Sequence, residues 1–222
     1  LDAEGNPIIA HHDHAKGTLR VARWNGINFV GSVFDRGSPF TADTGSDEED
    51  ADANVGQFVQ LKVIDGVEHM VYYDAANGDL KLSIGSDIHV VDSDGDVGTW
   101  PDILVKDDII HIMYQDKGNQ QLKYAKGTPG DWKIIVVDSA PYTGADSALY
   151  FEGDELKAVY FEGRSNDMKQ AAYAPVVAGW SNRVIASDGA VGFHNEVVTM
   201  GDEHFVGSYN FTSRSVHFAK LD

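Results

Sequence analysis

A pattern of residues that recurs five times along the chain constrains its fold more than any other feature. The stretches HIMYQDKGNQQLKYA (111–125) and HMVYYDAANGDLKLS (69–83) share His, Tyr, Asp, Asn, Leu and Lys at the same places. An acidic or amide anchor residue, an apolar residue six positions later and a basic residue seven positions later define the unit. The anchors are Asp13, Asp74, Asp116, Glu162 and Asn210, and the last copy is the most degenerate, with His217 in the basic position.

A glycine landmark supports the same register. Gly56, Gly98, Gly144 and Gly192 each lie 18 residues before an anchor, and the first repeat has none. The anchors are 61, 42, 46 and 48 residues apart, and we interpret the acidic stretch DTGSDEEDADAN (43–54) as an insertion in the longest interval. The repeats therefore span about 1–55, 56–97, 98–143, 144–191 and 192–222.

Each repeat has the pattern of four short strands joined by turns rich in Gly, Asp and Pro. In the third repeat we predict strands at about 100–105, 109–115, 121–126 and 132–138. Such repeats indicate a single all-β domain over 1–222, a five-bladed β-propeller of four-stranded antiparallel blades. A β-sandwich is the alternative, but it does not explain the constant spacing of 18 residues. The terminal blades are predicted to be incomplete, so that a second chain or a missing segment would complete the propeller.

The composition narrows the classes of function. A net charge of -18 opposes binding to nucleic acid and suits the binding of cations. The absence of cysteine excludes disulfides and thiolate chemistry. No apolar run is long enough for membrane insertion.

The pattern H-x-x-Y-x-D-x-x-N-x-x-L-K, preceded by D-V-G and followed by G-D-W, resembles the sialidase-like propeller repeats of bacterial surface and secreted proteins. This resemblance covers the whole chain and implies a secreted or cell-surface module for binding or adhesion. It does not extend to sialidase activity. The nearest match to the Asp-box S-x-D-x-G-x-T-W is SDGDVGTW (93–100), which has other internal spacing, and no arginine lies on a predicted innermost strand.

Side chains near the start of each innermost strand vary between repeats and are the candidate ligand-binding residues. Two residues after the landmark glycines come Phe58, Trp100, Asp146 and His194, and four residues after come Gln60, Asp102, Ala148 and Glu196. Strand alternation predicts that both sets share one side of the strand, at the mouth of an axial channel. The predicted glycan site is Trp100, Asp102, Asp146, His194 and Glu196, and the alternative is a water-filled channel with a hydrophilic lining.

A second candidate is a calcium site in the loops between repeats. Alternating oxygen ligands occur in DSDGDVG, with Asp92, Asp94 and Asp96, and in DADANVG, with Asp50, Asp52 and Asn54. Neither loop has the Glu that completes an EF-hand, since the twelfth positions are Ile103 and Leu61. Acidic, glycine-containing turns without a metal are the alternative.

Residues found in most repeats are interpreted as scaffold. The anchors are predicted to accept backbone N–H groups in their hairpin turns and to pair with the basic residue seven positions later. His69 and His111 occupy equivalent places and are predicted to pack in the core, whereas His12 and His14 could share a metal. The chain is thus predicted to be a non-catalytic binding module for a glycan or another macromolecule. The alternatives are a glycoside hydrolase or lyase using carboxylates among Asp102, Asp146 and Glu196, and a scaffold domain of a larger surface protein.

Overall fold

The computed structural model describes residues 1–37, 54–174 and 179–221, and all regular structure in them is β-strand. No helix in these ranges is long and apolar enough to cross a membrane. The strands are β1 Ile8–Asp13, β2 Thr18–Trp24, β3 Phe29–Asp35, β4 Val55–Ile64, β5 Val67–Asp74, β6 Asp79–Ile84, β7 Asp87–Asp92, β8 Val97–Lys106, β9 Ile109–Asp116, β10 Gln121–Thr128, β11 Asp131–Asp138, β12 Thr143–Glu152, β13 Glu155–Glu162, β14 Asp167–Ala174, β15 Gly179–Ala186, β16 Val191–Met200, β17 Glu203–Asn210 and β18 Ser215–Leu221.

These strands form five sheets, each a meander of consecutive strands, numbered here as sheets 1 to 5 in chain order. Sheets 2, 3 and 4 have four strands, namely β4–β7, β8–β11 and β12–β15. Sheet 1 (β1–β3) and sheet 5 (β16–β18) have three each. The all-β class and the four strands predicted for the third repeat are confirmed, although β8 begins three residues earlier than predicted.

The contacts divide the chain into two compact units, Leu1–Thr99 and Trp100–Asp222. The first unit contains sheets 1 and 2, and the second contains most of sheet 3 with sheets 4 and 5. The boundary falls inside β8. The single-domain assignment stays a prediction.

The anchor residues stabilise hairpin turns, as predicted. Asp74 Oδ1 accepts the N–H groups of Ala76 and Asn77, at 3.2 and 3.3 Å. Lys81 Nζ lies 2.5 Å from Asp74 Oδ2. This ion pair is buried, so its loss would leave a charge without its partner inside the protein.

The landmark glycines join consecutive sheets. A Cβ atom built on Gly98 would lie 2.7 Å from Leu80 Cα and 2.9 Å from Leu80 Cβ, so only glycine allows this approach. Leu80 is the apolar residue six positions after its anchor, and the N–H of Val97 donates to the carbonyl of Gly78 beside it, at 2.9 Å. The same backbone bond joins the pairs Val55–Gly17, Thr143–Gln120 and Val191–Asn166. The landmark glycine of one repeat therefore contacts the apolar residue that follows the anchor of the preceding repeat.

Candidate functional site

The innermost strands carry a repeated distortion after the landmark glycine. On β12, Thr143, Ala145 and Ala148 lie opposite Glu162, Phe161 and Val159, so each step places one extra residue on β12. The same two shifts occur on β4 and β16. In the four repeats that have the landmark glycine, the residue two positions after it adopts a left-handed backbone conformation: Phe58 (φ 56°), Trp100 (52°), Asp146 (51°) and His194 (52°). Double bulges of this kind redirect one side chain per repeat.

The bulges make the predicted alternation wrong. An extra residue between the second and fourth positions after the glycine changes the side of the strand to which the chain points. Asp146, at the second position, lies next to His194, whereas Ala148, at the fourth, is packed in the core between sheets 4 and 5. The side chains at these two positions therefore have different surroundings.

Trp100, Asp146 and His194 come together in the second unit, and we call them the bulge cluster. His194 Nδ1 lies 3.5 Å from Asp146 Oδ1, and the rings of Trp100 and His194 have centroids 6.5 Å apart. The His194 side chain is 74% exposed and that of Asp146 only 7%. Burial raises the pKa of Asp146, and the nearby His194 partly offsets this effect. An indole, a buried carboxyl group and an exposed imidazole thus lie side by side.

Two polar side chains fix the backbone of the bulge cluster. Ser147 Oγ donates to the carbonyl oxygen of Trp100 at 2.8 Å. Asn195 Nδ2 donates to the carbonyl oxygens of Asp146 and Gly192, both at 2.9 Å. Sequence analysis missed Ser147 and Asn195 because the equivalent residue after Trp100 is Pro101, so no repeat pattern identifies them.

The other two predicted ligand-binding residues have different surroundings. Asp102 is buried, and its carboxylate accepts the N–H groups of Ile103, at 2.8 Å, and Leu149, at 2.7 Å. It therefore links β8 to β12, and we assign it a structural role. Glu196 is exposed on β16, opposite Gly207.

The predicted calcium ligands are only partly described. Asp92 is buried and accepts the N–H of Asp94 at 3.0 Å, and Asp96 accepts the hydroxyl of Tyr73. Asn54 accepts the amide of Gln57 at 2.8 Å. Asp50 and Asp52 lie outside the described residues. Within 1–37, 54–174 and 179–221, no three His, Asp or Glu residues are grouped so that they could hold a metal ion. Calcium binding stays a prediction.

The position of Asp92 suggests another role for this residue. Asp92 and Asp138 both lie six residues before a landmark glycine, at the end of the fourth strand of their sheets. Asp138 Oδ2 accepts the hydroxyl of Tyr160 at 2.7 Å and binds Lys169 Nζ, both from sheet 4. The spacing of six residues to the landmark glycine is thus a sequence signal for the carboxylate of Asp138 that joins sheets 3 and 4.

Comparison with known proteins gives structural neighbours only. No family model matches the chain, and no curated protein matches it in sequence. A mutant of the Aleuria aurantia lectin in complex with alpha-methyl-L-fucoside is 11% identical, with 100% of this chain and 76% of that chain covered and a TM-score of 0.60. The catalytic domain of Coprinopsis cinerea GH62 alpha-L-arabinofuranosidase is 9% identical over 96% of this chain and 84% of that chain, with a TM-score of 0.56. A thermostable family-43 glycoside hydrolase is 14% identical over 100% of this chain and 88% of that chain, with a TM-score of 0.53. These neighbours are propeller folds, and at such identities the likeness concerns the fold alone.

Proposed function

We propose that the chain is a glycan-binding module built of five propeller-type sheets and that the bulge cluster contacts the sugar. The observation that carries this proposal is the convergence of Trp100, Asp146 and His194 from equivalent positions of three consecutive repeats. Residues that vary on a constant scaffold are where a repeat protein places its binding site.

The chemistry of the bulge cluster suits a sugar. An indole ring offers a flat apolar surface to the C–H face of a pyranose or furanose. A carboxyl group and an imidazole supply acceptors and donors for the hydroxyl groups. Ser147 and Asn195 hold the backbone below them, so the site needs little ordering when a ligand binds.

Charge and fold indicate the class of glycan. A net charge of -18 repels sialylated, sulfated and uronic acid polymers, so we propose a neutral ligand. The fold neighbours include a lectin bound to a fucoside and an alpha-L-arabinofuranosidase. We therefore propose neutral fucosylated or arabinosylated glycans as the first ligands to test, and a module that acts at the cell surface or after secretion.

The test is a glycan array followed by calorimetric titration of the strongest ligand, with alpha-methyl-L-fucoside included as a probe. We expect Trp100→Ala and His194→Ala to weaken binding about tenfold or more each, since each removes a main contact. Phe58→Ala is the matched control, because Phe58 has the same left-handed backbone in the first unit. Equal loss in the control, or no loss in the cluster variants, would contradict the proposed site.

Hydrolysis is the second candidate, because burial raises the pKa of Asp146 as a general acid requires. A glycosidase needs a second carboxyl group, and Glu196 is the exposed candidate. Incubation with aryl arabinofuranosides tests this reaction. Sugar release that is abolished by both Asp146→Asn and Glu196→Gln would replace binding with catalysis as the function, and we expect no release.

A further inference from the structure

The last sheet exposes a face that the other sheets bury. Six residues after the anchor, Leu19, Leu80, Leu122 and Met168 are at most 1% exposed, whereas the equivalent Val216 is 75% exposed. Eight residues after the anchor, Val21, Leu82, Tyr124 and Gln170 are at most 3% exposed, whereas the equivalent Phe218 is 67% exposed. Sheet 5 therefore has apolar residues at the same positions as the other sheets, but these side chains are exposed.

Within each unit, the partner of this face is the sheet of the next repeat. Leu122 and Tyr124 of sheet 3 pack with Leu149, Leu156 and Tyr160 of sheet 4. Met168 of sheet 4 packs with residues of β16 and β17, and Leu19 of sheet 1 packs with residues of β4 and β5. In each case, residues of the first two strands of the next sheet cover this face.

The open face of sheet 5 carries apolar side chains on all three strands, with the exposed ion pair of Lys220 and Glu203 at one end. The strand register places Val198 opposite Phe205 and Gly207 opposite Phe218, so these residues share one face. The rings of Phe205 and Phe218 are stacked, with centroids 5.5 Å apart, and Val198 and Met200 are 55% and 63% exposed. We call this surface the trailing face. A group of exposed apolar side chains on one face of a folded protein marks an interaction site.

Sheet 1 exposes the complementary face. Ile9 is 46% exposed, whereas the equivalent Met70, Ile112 and Ala158 are fully buried. On the same face, Trp24 lies opposite Phe29, with ring centroids 5.3 Å apart. We call this surface the leading face.

An aromatic contact between sheets 3 and 4 shows how the two faces fit. The pair Tyr173 and Trp180 of sheet 4 is equivalent in register to Trp24 and Phe29 of sheet 1. Trp180 packs edge-on against Tyr124 of sheet 3, with centroids 5.2 Å apart. Tyr124 is the equivalent of Phe218. Phe29 on the leading face is therefore the equivalent of Trp180, and Phe218 on the trailing face is the equivalent of Tyr124.

We propose that the chain associates with a second copy of itself head to tail, with the trailing face of one copy packed on the leading face of the next. Charge favours this contact. Residues 1–37 contain four acidic and four basic residues, and residues 191–221 contain three acidic and two basic ones, so both faces belong to nearly neutral segments of a chain with net charge -18. A contact between unlike faces can continue into a closed ring or an open chain of copies.

Sedimentation of the full chain over a wide range of concentration tests the association. We expect reversible, concentration-dependent growth in mass, and we expect Phe218→Asp or Ile9→Asp to weaken association about tenfold or more. Val184→Asp is the matched control, since Val184 is a 50% exposed apolar residue on β15 and the variant gains the same charge. A chain that stays monomeric at every concentration, or a control that weakens association equally, overturns the proposal.

Cross-linking tests the head-to-tail geometry, and the chain has no cysteine to interfere. Copies carrying Phe218→Cys are mixed with copies carrying Phe29→Cys and treated with a short bismaleimide. We expect a covalent dimer in the mixture and none with either variant alone. A dimer formed by Phe218→Cys alone would show that two trailing faces meet, and would overturn the head-to-tail contact.

Discussion

At Gly98, both the backbone conformation and the packing require glycine. Its φ of 109° lies where residues with a side chain are strained, and its α-carbon approaches Leu80 more closely than a Cβ atom allows. The opposing atoms include the Leu80 backbone, which cannot rotate away as the end of a side chain could. The glycine is therefore a packing requirement between consecutive sheets, whereas the 18 residues from it to its anchor span the first two strands of one sheet.

Gly98→Ala is expected to reduce the free energy of unfolding by about 2–5 kcal/mol, the sum of backbone strain and overpacking. Gly66→Ala is the matched control: Gly66 also has a positive φ, of 78°, but a Cβ atom there would meet nothing within 4 Å. Urea unfolding of both variants separates the strain from the packing. Equal losses in the two variants would show that the approach to Leu80 contributes nothing.

At the same scale, the sequence predicted the roles of repeated residues better than those of variable ones. The turn contacts of Asp74 and the burial of His69 and His111 are confirmed, because each appears more than once at one position. Asp102 could not be assigned in this way, because its role depends on two backbone N–H groups, one of them from the next sheet, that no repeat pattern indicates. A residue type that occurs in only one repeat has no equivalent in the other repeats from which its role could be predicted.

Between elements, a carboxylate at the end of one sheet binds a tyrosine and a lysine of the next. Asp138 with Tyr160 and Lys169 is one instance, and Asp35 with Tyr72 and Lys81 is another, with Tyr72 Oη 2.8 Å and Lys81 Nζ 3.6 Å from Asp35 Oδ2. Between sheets 4 and 5, all three positions change together, to Ala186, Ser208 and His217. The joint loss indicates that the three side chains act as one unit.

Asp138→Asn is expected to destabilise the fold by about 3 kcal/mol at neutral pH, since it leaves the Lys169 charge in a largely buried place without its partner. Burial alone would raise the pKa of Asp138, but hydrogen bonds from Lys169, Tyr160 and the Ala140 N–H outweigh it and hold the pKa below 3.8. The folded state therefore binds fewer protons than the unfolded state near that pH. The stability that Asp138 contributes is complete above its ordinary pKa and is lost as the pH falls through the folded pKa.

Urea midpoints at neutral pH and at pH about 3 measure both effects, and the variant should lose less stability on acidification than the wild type. Asp154→Asn is the control, because Asp154 pairs with Lys106 but its side chain is fully exposed. It should behave like the wild type at neutral pH. A control as unstable as Asp138→Asn would mean that burial of the pair is irrelevant.

For the molecule as a whole, the period, the strands and the three-stranded end sheets follow from the sequence, because each strand must match an equivalent strand in other repeats. The bulge cluster could be predicted from the sequence only in part. Its positions could be found by counting from the glycines, but its geometry depends on the double bulge, which has no single residue type as its signal. The acidic character is a property of the whole chain and identifies no particular site.

The last prediction concerns that charge. A net charge of -18 on 222 residues opposes compaction, so added NaCl should raise the melting temperature by screening. CaCl2 and MgCl2 at equal concentration screen alike, whereas an ion that binds the folded state adds stability that grows with its concentration. If the alternating carboxylates of Asp50 and Asp52, or of Asp92, Asp94 and Asp96, bind calcium, the melting temperature rises further with calcium than with magnesium and returns with chelator. Equal curves for the two ions would assign the acidity to solubility and screening, because Asp92 and Asp96 already accept protein hydrogen bonds.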